Sequence, residues 1–251
     1  MNEIFSLWSM LLLSFIISSC KVDPCDKLVY GVYVYPKVPD NHNWTQDQVA
    51  EYVNIPKDVL ECITTSGLIE STMNYPLLGL ILAGANPQSG YDNLLKVKFR
   101  GLIELENRAD AAKCFQEKYS SMEPSELNPN WTPLEKGTFI NNFFFYEVIY
   151  SQFVILEKVE VEDKKLLINE VIEKFYKKTG VCCENDWDLY TAMMGLIISA
   201  RLMYIDNYSE FMNFYNSSIG ISEFTIFISP TFSFDEGFQL LEITQNYFNQ
   251  L

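Results

Sequence analysis

The sequence predicts an all-α fold: a multi-helix bundle or helix-hairpin array of roughly ten helices, with at most a minor extended segment near residues 29–38. Three observations predict it. Apolar residues recur at helical spacing from Trp44 to the C-terminus. Helix-start signals, a polar cap or a proline, precede most of those stretches. Only one early segment alternates in the manner of a strand.

Residues 21–28 read as a polar tether containing Pro24. Val29 to Val38 alternate and are rich in β-formers, so they read as an extended lead-in or edge strand with no second strand nearby to pair with. Thr45 and Gln48 form a capping box ahead of Val49, Tyr52 and Val53. Pro56 suits the first turn of a second helix carrying Val59, Leu60 and Ile63. Thr65 or Ser66 caps a third, with Leu68, Ile69 and Met73 inward. Pro76 opens a short fourth helix over 77–82. Such short helices need neighbours to be stable.

Longer helices follow: Gly90 to Glu106, then Asn107 to Tyr119. The loop from Ser120 to Thr132 is the best place for a division into two subdomains. Pro133 opens an aromatic helix running through Leu156. An amphipathic helix covers 163–178 and ends at Gly180. Trp187 to Tyr204 is the most apolar stretch. Arg201 near one end, with Asp186 and Asp188 at the other, argues for a central core helix rather than a membrane span. Residues 208–216 and 233–248 are two further amphipathic helices, and Phe224 to Ser229 between them reads as a short strand or a buried turn.

The first twenty residues carry a different signal. An apolar run over residues 4–17 leads into Ile17-Ser18-Ser19-Cys20. The run is too short for a span of about 20 residues. The ending matches a lipoprotein signal, with an aliphatic residue three before a cysteine and small residues between. No Lys or Arg precedes Lys21, so either the signal tolerates that absence or the start lies upstream. The expected organisation is a signal peptide over 1–19, a tether and extended lead-in over 20–43, and a helical domain over 44–251. Cys20 becomes the acylated first residue, carrying palmitate or similar chains. One acyl chain holds a membrane only marginally, and several hold it firmly. With that anchor the domain needs no apolar membrane-facing patch.

The chain carries 33 acidic and 18 basic residues, a net charge of −15. Removing 1–19 deletes only Glu3, leaving 32 against 18, or −14. Such a surface repels phosphate backbones, and no basic face is visible, so nucleic acid and anionic lipid headgroups are not expected as ligands. The acidity itself reads as solubility. Five cysteines remain beyond Cys20: Cys25, Cys62, Cys114, Cys182 and Cys183. An exported chain can form disulfides, but an odd number leaves at least one thiol unpaired or paired between molecules. The adjacent Cys182 and Cys183 are poorly placed to bond to each other. Cys62 and Cys114 sit in apolar helical stretches, where free cysteines behave as small hydrophobes.

Several runs are distinctive: Asn54-Ile55-Pro56-Lys57-Asp58-Val59-Leu60, Thr65-Ser66-Gly67-Leu68-Ile69 and Asn74-Tyr75-Pro76-Leu77-Leu78-Gly79. So is Phe99-Arg100-Gly101-Leu102-Ile103-Glu104-Leu105 followed by Arg108-Ala109-Asp110-Ala111. These resemble a family of uncharacterised helical lipoproteins and secreted proteins from gut Bacteroidetes, across most of 33–120 and more loosely over 187–248. The resemblance implies an exported all-α domain at the cell envelope and carries no activity. Members more often have an acidic or polar residue where this chain has Leu80.

Catalytic spacings are missing. His42 is the single histidine, flanked by Asn41 and Asn43, so a Ser-His-Asp or Cys-His set would have to use it. No zinc spacing, phosphate loop or EF-hand loop occurs, and no cofactor or metal is expected. Glu184-Asn185-Asp186-Trp187-Asp188 places acids beside an aromatic, a layout a glycosidase could use. Acids at a helix start also simply stabilise its dipole, which is the stronger reading. The aromatic helix over 139–156 reads as core. Tyr33, Tyr35, Trp44 and Trp131 lie in loop-like segments and are the expected exposed aromatics for a glycan or peptide. The expected function is therefore a non-enzymatic, lipid-anchored binding or scaffold protein with a protein, peptide or glycan ligand. It would be an outer-membrane lipoprotein, periplasmic or surface-exposed. The alternatives are a carboxylate-dependent hydrolase and a purely structural envelope protein.

Overall fold

The computed structural model describes residues 24–40, 43–180, 187, 189–229 and 231–251. Cys20, His42, Cys182, Cys183 and the acids around Trp187 lie outside them. The fold is all-α with one minor two-stranded sheet.

That sheet corrects the unpaired lead-in. After a 3₁₀ turn at Pro24–Lys27, β1 (Leu28–Val29) pairs antiparallel with β2 (Val32–Tyr33), Val29 opposite Val32 and Leu28 opposite Tyr33. Tyr30 and Gly31 between them have φ of 52° and 80°. Two left-handed residues are what a two-residue hairpin needs to match the strand twist. The hairpin lies on α3 (Thr65–Met73). A Cβ on Gly67 would stand 2.1 Å from the Gly31 carbonyl oxygen, so only glycine permits this approach. Tyr33 N–H donates to Ser71 Oγ at 2.9 Å, and Tyr35 hydroxyl donates to the Ser71 carbonyl at 2.9 Å.

Cys25 and Cys62 form a disulfide, so Cys62 is neither free nor a buried hydrophobe; it is exposed and covalently paired. Only the thiol of Cys114, half-buried on α6 (Ala111–Ser121), fits that reading. The bond joins residues 37 apart in sequence. On the chain-entropy model, reducing it lowers unfolding free energy by about 4 kcal/mol, measurable as a drop in urea midpoint with dithiothreitol.

The capping box of α1 (Gln46–Tyr52) is present: Gln48 N–H donates to Thr45 Oγ1, and Thr45 N–H donates to Gln48 Oε1 at 2.8 Å. The short α2 is Lys57–Leu60. The cap of α3 is Thr64 rather than Thr65 or Ser66; Thr65 Oγ1 instead donates to Asp110. The apolar run after Pro76 is a 3₁₀ helix, Leu78–Ala83, whose three-residue period turns Leu78 and Ile81 inward.

The helix expected over 90–106 is broken. A short α4 (Pro87–Gly90) leads into a π turn at Tyr91–Leu95, and α5 (Arg100–Asn107) starts only after an extended Phe99. Asn54 bridges the break: its amide donates to the Lys98 carbonyl at 2.7 Å, and its Oδ1 accepts from Arg100 N–H at 3.1 Å. Phe99 is then buried and stacks on Tyr75 at 4.0 Å. A distant side chain thus satisfies the backbone groups that helix continuity would have paired.

The aromatic helix α7 (Pro133–Tyr150) also ends early, and α8 is Phe153–Leu156. After α9 (Val161–Thr179), the most apolar stretch divides at Gly195 into α10 (Leu189–Met194) and α11 (Leu196–Ile205). Every residue from Leu196 to Met203 is buried. α11 packs against α7, α8, α9, α12 (Ser209–Ser217), α13 (Ile219–Phe227) and α14 (Phe234–Gln250), as a core helix must. The strand or turn expected at 224–229 is the end of α13. No helix among the described residues is long and apolar enough to cross a membrane. The main core draws on residues from Tyr33 to Tyr247, on both sides of the 120–132 loop.

The cap of α14 supplies a pH prediction. The Ser218 hydroxyl and the Ser233 backbone N–H both donate to Glu236, holding its carboxyl below the usual range. The bonded carboxylate therefore stabilises the fold above the unfolded value, and that support is lost as pH falls through the lower folded value. Glu236→Gln should lower the urea midpoint at neutral pH and narrow its fall in acid.

Candidate functional site

Among the described residues, a cleft of about 270 Å³ with both polar and apolar walls lies where the ends of α3 and α6 meet α7. Its rim carries Glu70, Lys118, Glu123 and Glu126, and its wall includes Met73, Met122, Phe139 and Phe143. The sequence places each group by helical period. Glu70 and Met73 are one turn apart on α3, and Phe139 and Phe143 one turn apart on α7. Lys118 Nζ lies 2.5 Å from Glu70, and Lys177 Nζ 2.9 Å from Glu123. The Glu123 bond raises the Lys177 ammonium above its usual range. A carboxylic acid that protonates a leaving group needs an apolar or like-charged setting. Glu70 and Glu123 face ammonium groups instead.

Behind the aromatic wall lies a buried ionic cluster. Lys178 and Glu147 are both fully buried, 2.6 Å apart, and Tyr119 hydroxyl donates to the same Glu147 oxygen at 2.9 Å. Lys178 Nζ also sits 5.1 Å from the Phe143 ring and 5.2 Å from the Trp187 ring. Burial lowers the Lys178 ammonium from its usual range, and Glu147 opposes that shift. Burial, reinforced by Glu147, pushes the Tyr119 phenol well up. Gly195 closes the cluster; a Cβ there would stand 2.9 Å from Glu147 Oε1. Glu147 Oε2 has no hydrogen-bond partner among the described residues. Lys174, also buried, pairs with Glu170 at 2.9 Å and lies 4.9 Å from the Tyr119 ring.

A second buried charge is structural. Arg201 Nε donates to the Thr225 carbonyl at 2.8 Å, and its terminal nitrogens donate to the carbonyls of Ile226 and Ser151 and to Gln88 Oε1. One guanidinium thereby serves the last carbonyls of both α13 and α7. Burial pushes it down to about 10, which leaves it charged at neutral pH.

The four expected ligand-binding aromatics do not converge. Tyr33 is buried rather than exposed, and Tyr35 is half-buried; their rings meet edge-on at 5.1 Å beside Tyr75 and Phe99. The alternating run 29–38 marks their extended backbone, but nothing in it announces the docking onto Ser71 that covers them. Trp44 is exposed and lies against Tyr52 at 4.9 Å. Trp131 is half-buried against Phe139 at 5.5 Å, at the margin of the cleft. Trp187 is buried in the same small cluster as Phe143. The cleft's own groups escaped sequence reasoning. One sequence signal marks them: the loop at 120–132, which supplies Ser121, Met122, Glu123 and Glu126.

Among the described residues, no group of three or more His, Cys, Asp or Glu could hold a metal ion. Burial raises the Cys114 thiol, the wrong direction for a nucleophile. No protein-family model, curated protein or solved structure matches the chain.

Proposed function

We propose that this is an exported, lipid-anchored helical binding protein of the cell envelope, acylated on Cys20 and without catalytic activity, whose cleft between α3, α6 and α7 receives a protein, peptide or glycan partner. The carrying observation is the Cys25–Cys62 disulfide. Disulfides persist in oxidising compartments, so this bond supports the export reading of the lipobox at Ile17-Ser18-Ser19-Cys20. Two of the three rim carboxylates, Glu70 and Glu123, are held in ion pairs with Lys118 and Lys177, fixed charges that suit a polar partner. Its mixture of thioether, aromatic and charged groups suits a ligand with apolar and polar faces.

Thiol trapping tests the reading. Cells are quenched in acid and alkylated with a heavy maleimide, with and without prior reduction. In wild type, Cys25 and Cys62 should react only after reduction. In a variant lacking residues 2–19 they should react directly. Free Cys25 and Cys62 in wild type would contradict export.

A further inference from the structure

We infer that the tip of the β1–β2 hairpin is a membrane-contacting surface that orients the domain on the bilayer holding its anchor; this rests on the acylation of Cys20 proposed above. Chain length supplies the first reason. Only five Cα–Cα steps separate Cys20 from Cys25, a reach of at most about 19 Å. Cys25 is no free tether residue, because its bond to Cys62 ties that point to the body of the domain beside α2. The face bearing the disulfide and the adjoining hairpin is therefore held within that distance of the acyl chains.

The second reason is what the hairpin presents there. Tyr30 is 101% exposed, Val29 52% and Val34 59%. Tyr30 stands at φ 52°, a left-handed conformation that is sterically unfavourable for a non-glycine residue. Asn, Asp or Gly is the ordinary choice at that position of such a turn. A fully exposed ring gains no packing within the fold to offset the cost. Tyrosine flanked by valine is, however, suited to the lipid–water interface, where the ring is wet at one end and apolar at the other. Residues 28–34 contain no lysine or arginine, and the flanking Lys27 and Lys37 lie 3.4 and 3.5 Å from Asp58 and Asp40, so the hairpin contact itself is interfacial rather than electrostatic. Acyl chains supply the affinity, and the hairpin supplies the orientation.

The test uses the full acylated protein in vesicles of phosphatidylethanolamine and phosphatidylglycerol with brominated acyl chains, which quench nearby tryptophan. Tyr30→Trp adds one fluorophore to Trp44, Trp131 and Trp187, and the difference spectrum against wild type isolates it. That difference emission should be lost in brominated vesicles, and the loss should survive high salt. Val34→Trp, outside the left-handed turn, should behave alike and covers the case in which the first variant misfolds. Protein that floats with the vesicles while the added emission is unquenched overturns the inference and leaves the anchor intact. Quenching abolished by salt overturns it in favour of electrostatic adsorption. Failure of wild type to float at all overturns the anchor reading and this inference with it.

Discussion

Lys178→Met should lower the unfolding free energy by about 3–5 kcal/mol, because it strands Glu147 as an uncompensated charge in the core. Glu147 is fully buried, one oxygen is shared between Lys178 and the Tyr119 hydroxyl, and the other has no partner among the described residues. Glu147→Leu strands Lys178 in the same way. The double variant should recover most of the loss, since well-packed apolar side chains commonly match or exceed a buried ion pair. The two single losses therefore should not add. Urea unfolding of the four proteins in a double-mutant cycle measures the coupling directly. Additive losses would mean that the two residues do not act as a pair. The pair has the position of a core lock behind the cleft wall, reaching it through Phe143, so loosening it should also disturb the cleft.

Arg201→Met should cost about 4 kcal/mol or more and leave little native protein at physiological temperature. The substitution orphans the carbonyls of Thr225, Ile226 and Ser151 together, and buried carbonyls without donors cost about 1–3 kcal/mol each. Arg201→Lys should not rescue it. A lysine has one nitrogen where the guanidinium spreads its donors across two helix ends and Gln88. Far-UV circular dichroism on heating checks both variants, with a midpoint near wild type for Arg201→Lys counting against the two-helix cap.

Arg201 also shows how the sequence conveys the fold. Arg201 at one end of the most apolar stretch, with acids at the other, argues against a membrane span and for a central helix, and α11 is buried from Leu196 to Met203. Local signals served as well where they were complete within a few residues: the Thr45 and Gln48 box, Pro133 at the start of α7 and Gly180 at the end of α9. The failures have one physical cause. Asn54 breaks the 90–106 helix from 44 residues away in sequence, and Arg201 completes α13 from 24 away, so neither break nor cap is written locally. The β-branched run before Ser229 reads locally as a strand or a buried turn, whereas the helix end there is completed by the Arg201 guanidinium on the Thr225 and Ile226 carbonyls. Tyr33 and Tyr35 were expected at the surface because nothing near them announces Ser71. The cleft was least legible, since it joins three helices whose apolar periods each describe only a core face.

Labelling with palmitate reads the proposed acyl anchor on Cys20 without an intermediate step. Wild type and Cys20→Ala are expressed in the native host, labelled, and the envelope is fractionated before protease is applied to intact cells. An acylated Cys20 gives a labelled, membrane-bound wild type and an unlabelled variant released from the membrane, with protease sensitivity reporting a surface partner and protection a periplasmic one. Equal labelling of both proteins, or none of either, would contradict it.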